Sequence, residues 1–259
     1  MVEQLKASSK MKTYVEIFGV EYGFCRSAKA SYSDKHNRVV KLATMFESLS
    51  AKFDGMIIRG QYTSDNARLA LACKLMLYTG IRIGNEGSAE GYMTTPHPNS
   101  KEKPQFVQTY GLTTMLTEHV VEKRKKVQFM FLGKRHVDNF FEVTGDLAKQ
   151  MKQYLKVYEG QTLFDITAYE LTKFIKKYVG KQFTPKDLRT LRANMLAYDK
   201  LMEITERELP RTKTEFNAEV KEIATYVAEN LNNTAGVCKK NYIDCYFWDA
   251  VAEERPITK

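Results

Sequence analysis

The chain has 259 residues, 43% of them apolar, enough to bury one large core or two small ones. Forty Lys and Arg against thirty-one Asp and Glu leave a formal charge of +9, which favours a polyanionic partner. No charged-then-apolar leader and no membrane-length apolar run occurs, and Cys25, Cys73, Cys238 and Cys245 form no C-x-x-C pair and have no His at ligand spacing, so export, membrane spanning, a zinc site and a disulfide framework are not expected.

Taken in chain order, "VEIFGVEYGF" reads as a short strand or hairpin. Helical spacing starts at Ser33, a candidate N-cap, with Val39, Leu42, Ala43, Phe46 and Leu49 on one face. A second helix fits "TSDNARLALACKLMLYTG", with Gly80 as its stop. From about 106 to 144 the pattern turns to strand: "FVQTYGLTT", "EHVVEK", "KVQFMFLG" and "HVDNFFEV", with a tight turn at Gly133 and Lys134. Helices follow. Thr167 and Glu170 form a capping box before Leu171, Phe174, Ile175, Tyr178 and Val179, and Gly180 closes that helix. "TPKDLRTLRANMLAYDKLMEI" opens with Thr184 as N-cap, Pro185 at the first helical position and Asp187 in the first turn. A further helix runs through Phe216, Val220, Ile223 and Val227 to Leu231. The expected class is α+β: a mainly helical domain around one small antiparallel sheet or hairpin.

The stretch "NNTAGVCKKNYID" poses a chemical question. Asn233 and Tyr242 lie nine positions apart, which on a continuous helix puts them on opposite faces. A break at Asn233 and Thr234 removes that conflict, because Asn tolerates the left-handed C-terminal position and Thr caps a new helix carrying Tyr242. A tyrosine that attacks a phosphodiester needs positive charge nearby, since its phenol is a poor nucleophile when neutral. Charge on the phosphoryl oxygens calls for Arg and other donors, and the leaving oxygen calls for a proton donor such as Lys.

Five motifs fit that demand in order: "TGIRIGNE" around Arg82, "YGLTT" at 110 to 114, "FLGK" ending at Lys134, "KDLRT" around Arg189, and "NNTAGVCKKNYID". The set resembles the type IB DNA topoisomerases in their compact poxvirus and bacterial form, within the superfamily they share with tyrosine recombinases, from about residue 33 to about 245. The resemblance implies that Arg82 and Arg189 clamp the phosphate and that Lys134 is the general acid on a hairpin reaching into the minor groove. It further implies that Asn233 donates to a non-bridging oxygen and that Tyr242 is the nucleophile that holds the 3′-phosphate. Some members use His and the bacterial type uses Asn at the fourth position. Lys186, one helical turn before Arg189, faces the same DNA backbone on this reading. The implied partner is double-stranded DNA, bound by a monomer, with no cofactor, metal or nucleotide, in the cytoplasm or nucleoid, a viral particle or a host cytoplasm. Compact relatives carry a separate β-rich N-terminal clamp domain. Here residues 1–32 are expected to be a short segment in which that domain is reduced or missing, and 33–259 the catalytic domain, with the C-terminal helices missing or reduced.

Two other functions compete with this one. A tyrosine recombinase shares the chemistry, but has a His three positions before its second Arg, where this chain has Lys186, and a second His where this chain has Asn233. A non-catalytic DNA-binding protein is expected to have lost at least one of the five positions, and none is lost. "VEKRKKV" reads as a solvated loop with a secondary electrostatic role, and the spacing of Gly80, Gly84 and Gly87 matches neither a dinucleotide fingerprint nor a P-loop.

Overall fold

The computed structural model describes residues 11–25, 30–95, 99 and 103–258. They fall into two compact units, one drawn from positions up to Ala51 and from Gln182 onward, the other from Lys52–Lys181.

The first unit starts with β1 (Met11–Ile17) and β2 (Val20–Cys25), an antiparallel hairpin turning at Phe18 and Gly19, both at positive φ. Helix α1 (Ala30–Arg59) follows, so Ser33 lies inside its first turn and is not the cap that the sequence suggests. Ala30 is a strong helix former, and nothing between it and Ser33 interrupts the helix. The expected apolar face, Val39, Leu42, Ala43, Phe46 and Leu49, is buried in the first unit, and Phe53 and Ile57, beyond that expectation, are buried in the second.

Within the second unit, α2 (Asp65–Thr79) is capped by Ser64 and stops at Gly80, which takes the left-handed conformation (φ 68°) and donates to the Met76 carbonyl. Then come α3 (Glu86–Glu90) and a two-residue ladder of β3 (Tyr92–Met93) with β4 (Phe106–Val107). The rest of "FVQTYGLTT" is not a strand. Its backbone groups bond outward instead: the Leu112 and Thr113 N–H groups to the carbonyls of Arg82 and Ile83, and the Tyr110 N–H to that of Leu132.

Strands β5 (Val120–Glu122), β6 (Lys126–Gly133) and β7 (Val137–Thr144) form an antiparallel sheet in that order. Alternation puts Val127, Phe129 and Phe131 of β6, and Phe141 and Val143 of β7, into the core. The turn differs from the expectation by one residue. Gly133 still pairs with Val137, leaving Lys134, Arg135 and His136 as the connection, with positive φ at Arg135 (65°) and His136 (57°). Helices α4 (Gly145–Val157) and α5 (Ala168–Tyr178) complete the unit, and α2 packs against both and against β7. The expected box caps α5: the Glu170 N–H donates to Thr167 Oγ1, and the Thr167 N–H to Glu170 Oε2.

The chain returns to the first unit with α6 (Pro185–Thr205), α7 (Lys213–Asn230), α8 (Ala235–Asn241) and α9 (Cys245–Glu254). Helix α6 packs on α7 and β2, α7 on α8, and α9 on β2. The fold is α+β and mainly helical as expected, with three small antiparallel sheets among the described residues where one was expected. No helix among the described residues is long and apolar enough to cross a membrane.

Candidate active site

The sequence-predicted residues divide between the units. Lys186, Arg189, Asn233 and Tyr242 belong to the first, Arg82 and Lys134 to the second.

In the first unit, the break ahead of Tyr242 is a Schellman turn. Helix α7 ends at Asn230, the Asn232 N–H reaches the Glu229 carbonyl, and the Asn233 N–H reaches the Ala228 carbonyl at 2.9 Å. The left-handed residue is Asn232 (φ 48°) and not Asn233, because the doubly bonded turn sets its C′ position one residue earlier. Thr234 caps α8 as expected, accepting from the Val237 N–H. Asn233 thus lends its N–H to the turn without taking the left-handed position. Its Oδ1 accepts the Thr234 N–H at 3.0 Å, which fixes the amide orientation, and its Nδ2 is buried with no hydrogen-bond partner.

Tyr242 is the C-cap residue of α8, its N–H bonded to the Cys238 carbonyl. Arg189, on the second turn of α6 and only 3% exposed, donates from Nη2 to the Leu231 carbonyl at 2.7 Å. Its guanidinium carbon lies 5.0 Å from the Tyr242 ring centroid, so a permanent positive charge sits beside the phenol. The first turn of α6 is braced: Asp187 Oδ2 accepts from the Thr184 N–H and hydroxyl, and its Oδ1 pairs with Arg38 Nε at 2.9 Å. Lys186 is exposed, while Arg189 one turn later faces inward.

In the second unit, the motifs holding Arg82 and "YGLTT" are bonded to each other through their main chains, at a separation only glycine permits. A Cβ on Gly111 would lie 2.5 Å from the Gly84 backbone and 2.9 Å from the Arg82 carbonyl oxygen. Gly84 (φ 110°) takes a conformation other residues rarely adopt, and a Cβ there would meet the Thr113 and Thr114 hydroxyls at 2.9 Å. Lys134 is exposed at the start of the β6–β7 turn. Gly133 before it leaves room for Asn139, whose Nδ2 would lie 2.1 Å from an added Cβ and which bonds the Val137 carbonyl. At the other end of the turn, His136 Nε2 is 3.1 Å from the Tyr92 hydroxyl.

Reading the sequence alone misses Asn194. On α6 and 6% exposed, it bonds the main chain on both sides of Ile243. The available signal is a poor helix former set among the buried apolar residues Leu191, Ala193, Met195, Leu196 and Ala197.

The family model described as "Eukaryotic DNA topoisomerase I, catalytic core" matches residues 27–246. A curated relative, DNA topoisomerase 1B of Acanthamoeba polyphaga mimivirus, is 24% identical over 152 residues, covering 53% of this chain and 45% of the viral protein. The chain thus spans about half the length of that relative.

Proposed function

The chain belongs to the family of the eukaryotic DNA topoisomerase I catalytic core, and from that premise we propose that it relaxes supercoiled duplex DNA by breaking and rejoining one strand through Tyr242. The observation that carries this reading is the Arg189 guanidinium held 5.0 Å from the Tyr242 ring centroid, with the unpartnered Asn233 Nδ2 on the turn that leads into the same short helix.

In the proposed reaction, Tyr242 gives its phenol proton to solvent, its Oη attacks the phosphorus, a phosphotyrosyl bond forms to the 3′-phosphate, and the bond from phosphorus to the 5′-oxygen breaks. Lys134 gives that oxygen its proton. Arg82 and Arg189 balance the charge spread over the phosphoryl oxygens, and Asn233 Nδ2 donates to one of them. After the helix swivels, the 5′-hydroxyl attacks the phosphotyrosyl bond and the steps reverse. One phosphodiester is exchanged for another, so the bond energy is retained and the balance needs no ATP.

The test is incubation with negatively supercoiled plasmid in EDTA without ATP, followed by a denaturing gel for protein-linked DNA. Relaxation and an adduct with the native protein, both abolished in Tyr242→Phe, are expected. An adduct that persists in Tyr242→Phe overturns the assignment. Strand joining between sites in place of relaxation points to a recombinase, and binding without either reaction points to a non-catalytic role.

A further inference from the structure

We propose that Asn194 is a positioning residue that holds the main chain of Tyr242 in register with Arg189. The inference rests on the reading of Tyr242 as the nucleophile.

Tyr242 lies past the last residue of α8 and before α9, in a connection of only a few residues with no ladder of its own. A nucleophile on such a segment needs an external constraint to keep its Cα–Cβ vector aimed. The carboxamide of Asn194 supplies it. Nδ2 donates to the Tyr242 carbonyl at 3.0 Å, and Oδ1 accepts the Asp244 N–H at 2.9 Å. The remaining amide hydrogen goes to the Thr190 carbonyl at 2.8 Å, inside the helix that carries Asn194. All the hydrogen-bonding groups that matter are engaged, so the buried amide costs little and has one orientation. The grip spans Ile243, whose side chain is 1% exposed and anchors the same connection in the core.

Arg189 stands five residues earlier on α6, about 7.5 Å along the axis. One rigid helix therefore holds both the cation beside the phenol and the backbone the phenol hangs from. Displacing that backbone by about 1 Å is the kind of error that costs on the order of 10²-fold in a chemical step while leaving binding alone. A purely structural amide, in contrast, alters stability and not the rate of folded, DNA-saturated protein.

The experiment is single-turnover cleavage of a duplex by the full chain at saturating protein, with DNA affinity measured separately in a Tyr242→Phe background. Asn194→Ala is expected to lower the cleavage rate on the order of 10²-fold while affinity, set by phosphate contacts, changes less than about threefold. Asn194→Asp keeps the acceptor for the Asp244 N–H but turns a carboxylate toward the Tyr242 carbonyl. Burial and that carbonyl favour its protonated form, which can donate. Its cleavage rate relative to the native chain should therefore rise as pH falls, and this arm decides the matter if the alanine variant does not fold. An alanine variant that cleaves at the native rate when saturated, or an aspartate variant that tracks the native pH profile, overturns the proposal. If the native chain forms no adduct, this inference and the proposed function fall together; if it does and the Asn194 variants match it, this inference alone falls.

Discussion

At the scale of single residues, Asn233 makes the proposal about chemistry testable through stability as well as rate. Its Nδ2 is a buried donor with nothing to bond, a situation that costs about 1–3 kcal/mol in a folded protein and is tolerated where an acceptor is to arrive. Asn233→Ala should then slow cleavage by about 10²–10³-fold, the usual loss for one oxyanion donor, while the melting temperature of the free protein stays level or rises. The Thr234 N–H, which loses Oδ1, is on an exposed residue and turns to water. A melting temperature that drops with the rate would reassign Asn233 to the fold. His119 offers a pH test. Partial burial lowers its pKa below the ordinary 6.5, and its Nδ1 accepts the Leu116 N–H, which only the neutral ring can do. The unfolded chain takes up the proton first, so this stabilisation is complete above about pH 6.5 and is lost as pH falls below it. The acid slope of stability in that window should shrink in His119→Gln, and an unchanged slope would remove His119 from the account. The five motif positions are legible in the sequence as residue types, but their geometry is not. Arg189 and Tyr242 meet only because α7 folds back on α6, and Asn194 has no signature beyond a polar residue at a buried site.

At the scale of elements, the glycines of the Arg82 and "YGLTT" segments are the most exacting feature. Gly111→Ala sets a Cβ against backbone atoms that have no rotamer to relieve the clash, and should cost about 3 kcal/mol or more, read from the urea midpoint. Gly236, within α8, has open space around its would-be Cβ, so Gly236→Ala should stabilise by about 0.5–1 kcal/mol. Equal effects of the two substitutions would contradict the close approach of Gly111 to Gly84. Elements closed by a side-chain signal are legible: the Thr167 and Glu170 box, Thr184 with Pro185 and Asp187, and the Gly80 stop. Where the decisive partner is tertiary, the reading slips. The β6–β7 turn is set by Asn139 crossing over Gly133, and α4 has apolar spacing through Leu147, Met151 and Tyr154 but no cap bond from Thr144 to announce it.

At the scale of the whole molecule, the proposed groups come from both compact units, and the chain carries a formal charge of +9. On the proposed reading, DNA affinity is mainly counterion release: each neutralised phosphate adds about 0.9 to the slope of log K against log salt. The chemical step of bound protein has no such term, because its charges are already in contact with the phosphate. Salt should therefore weaken binding and leave the single-turnover cleavage rate unchanged once the DNA is saturated. Lys186 separates the two effects within one side chain, being exposed while Arg189 one turn on is buried. Lys186→Ala should reduce the salt slope by about 0.9 and weaken binding to all duplex sequences alike, with the saturated cleavage rate retained. Titrations at several salt concentrations, each paired with a cleavage time course, measure both quantities. An unaltered slope would mean that Lys186 touches no phosphate, and a saturated rate that falls with salt as fast as the affinity would mean that the site itself comes apart when its counterions return.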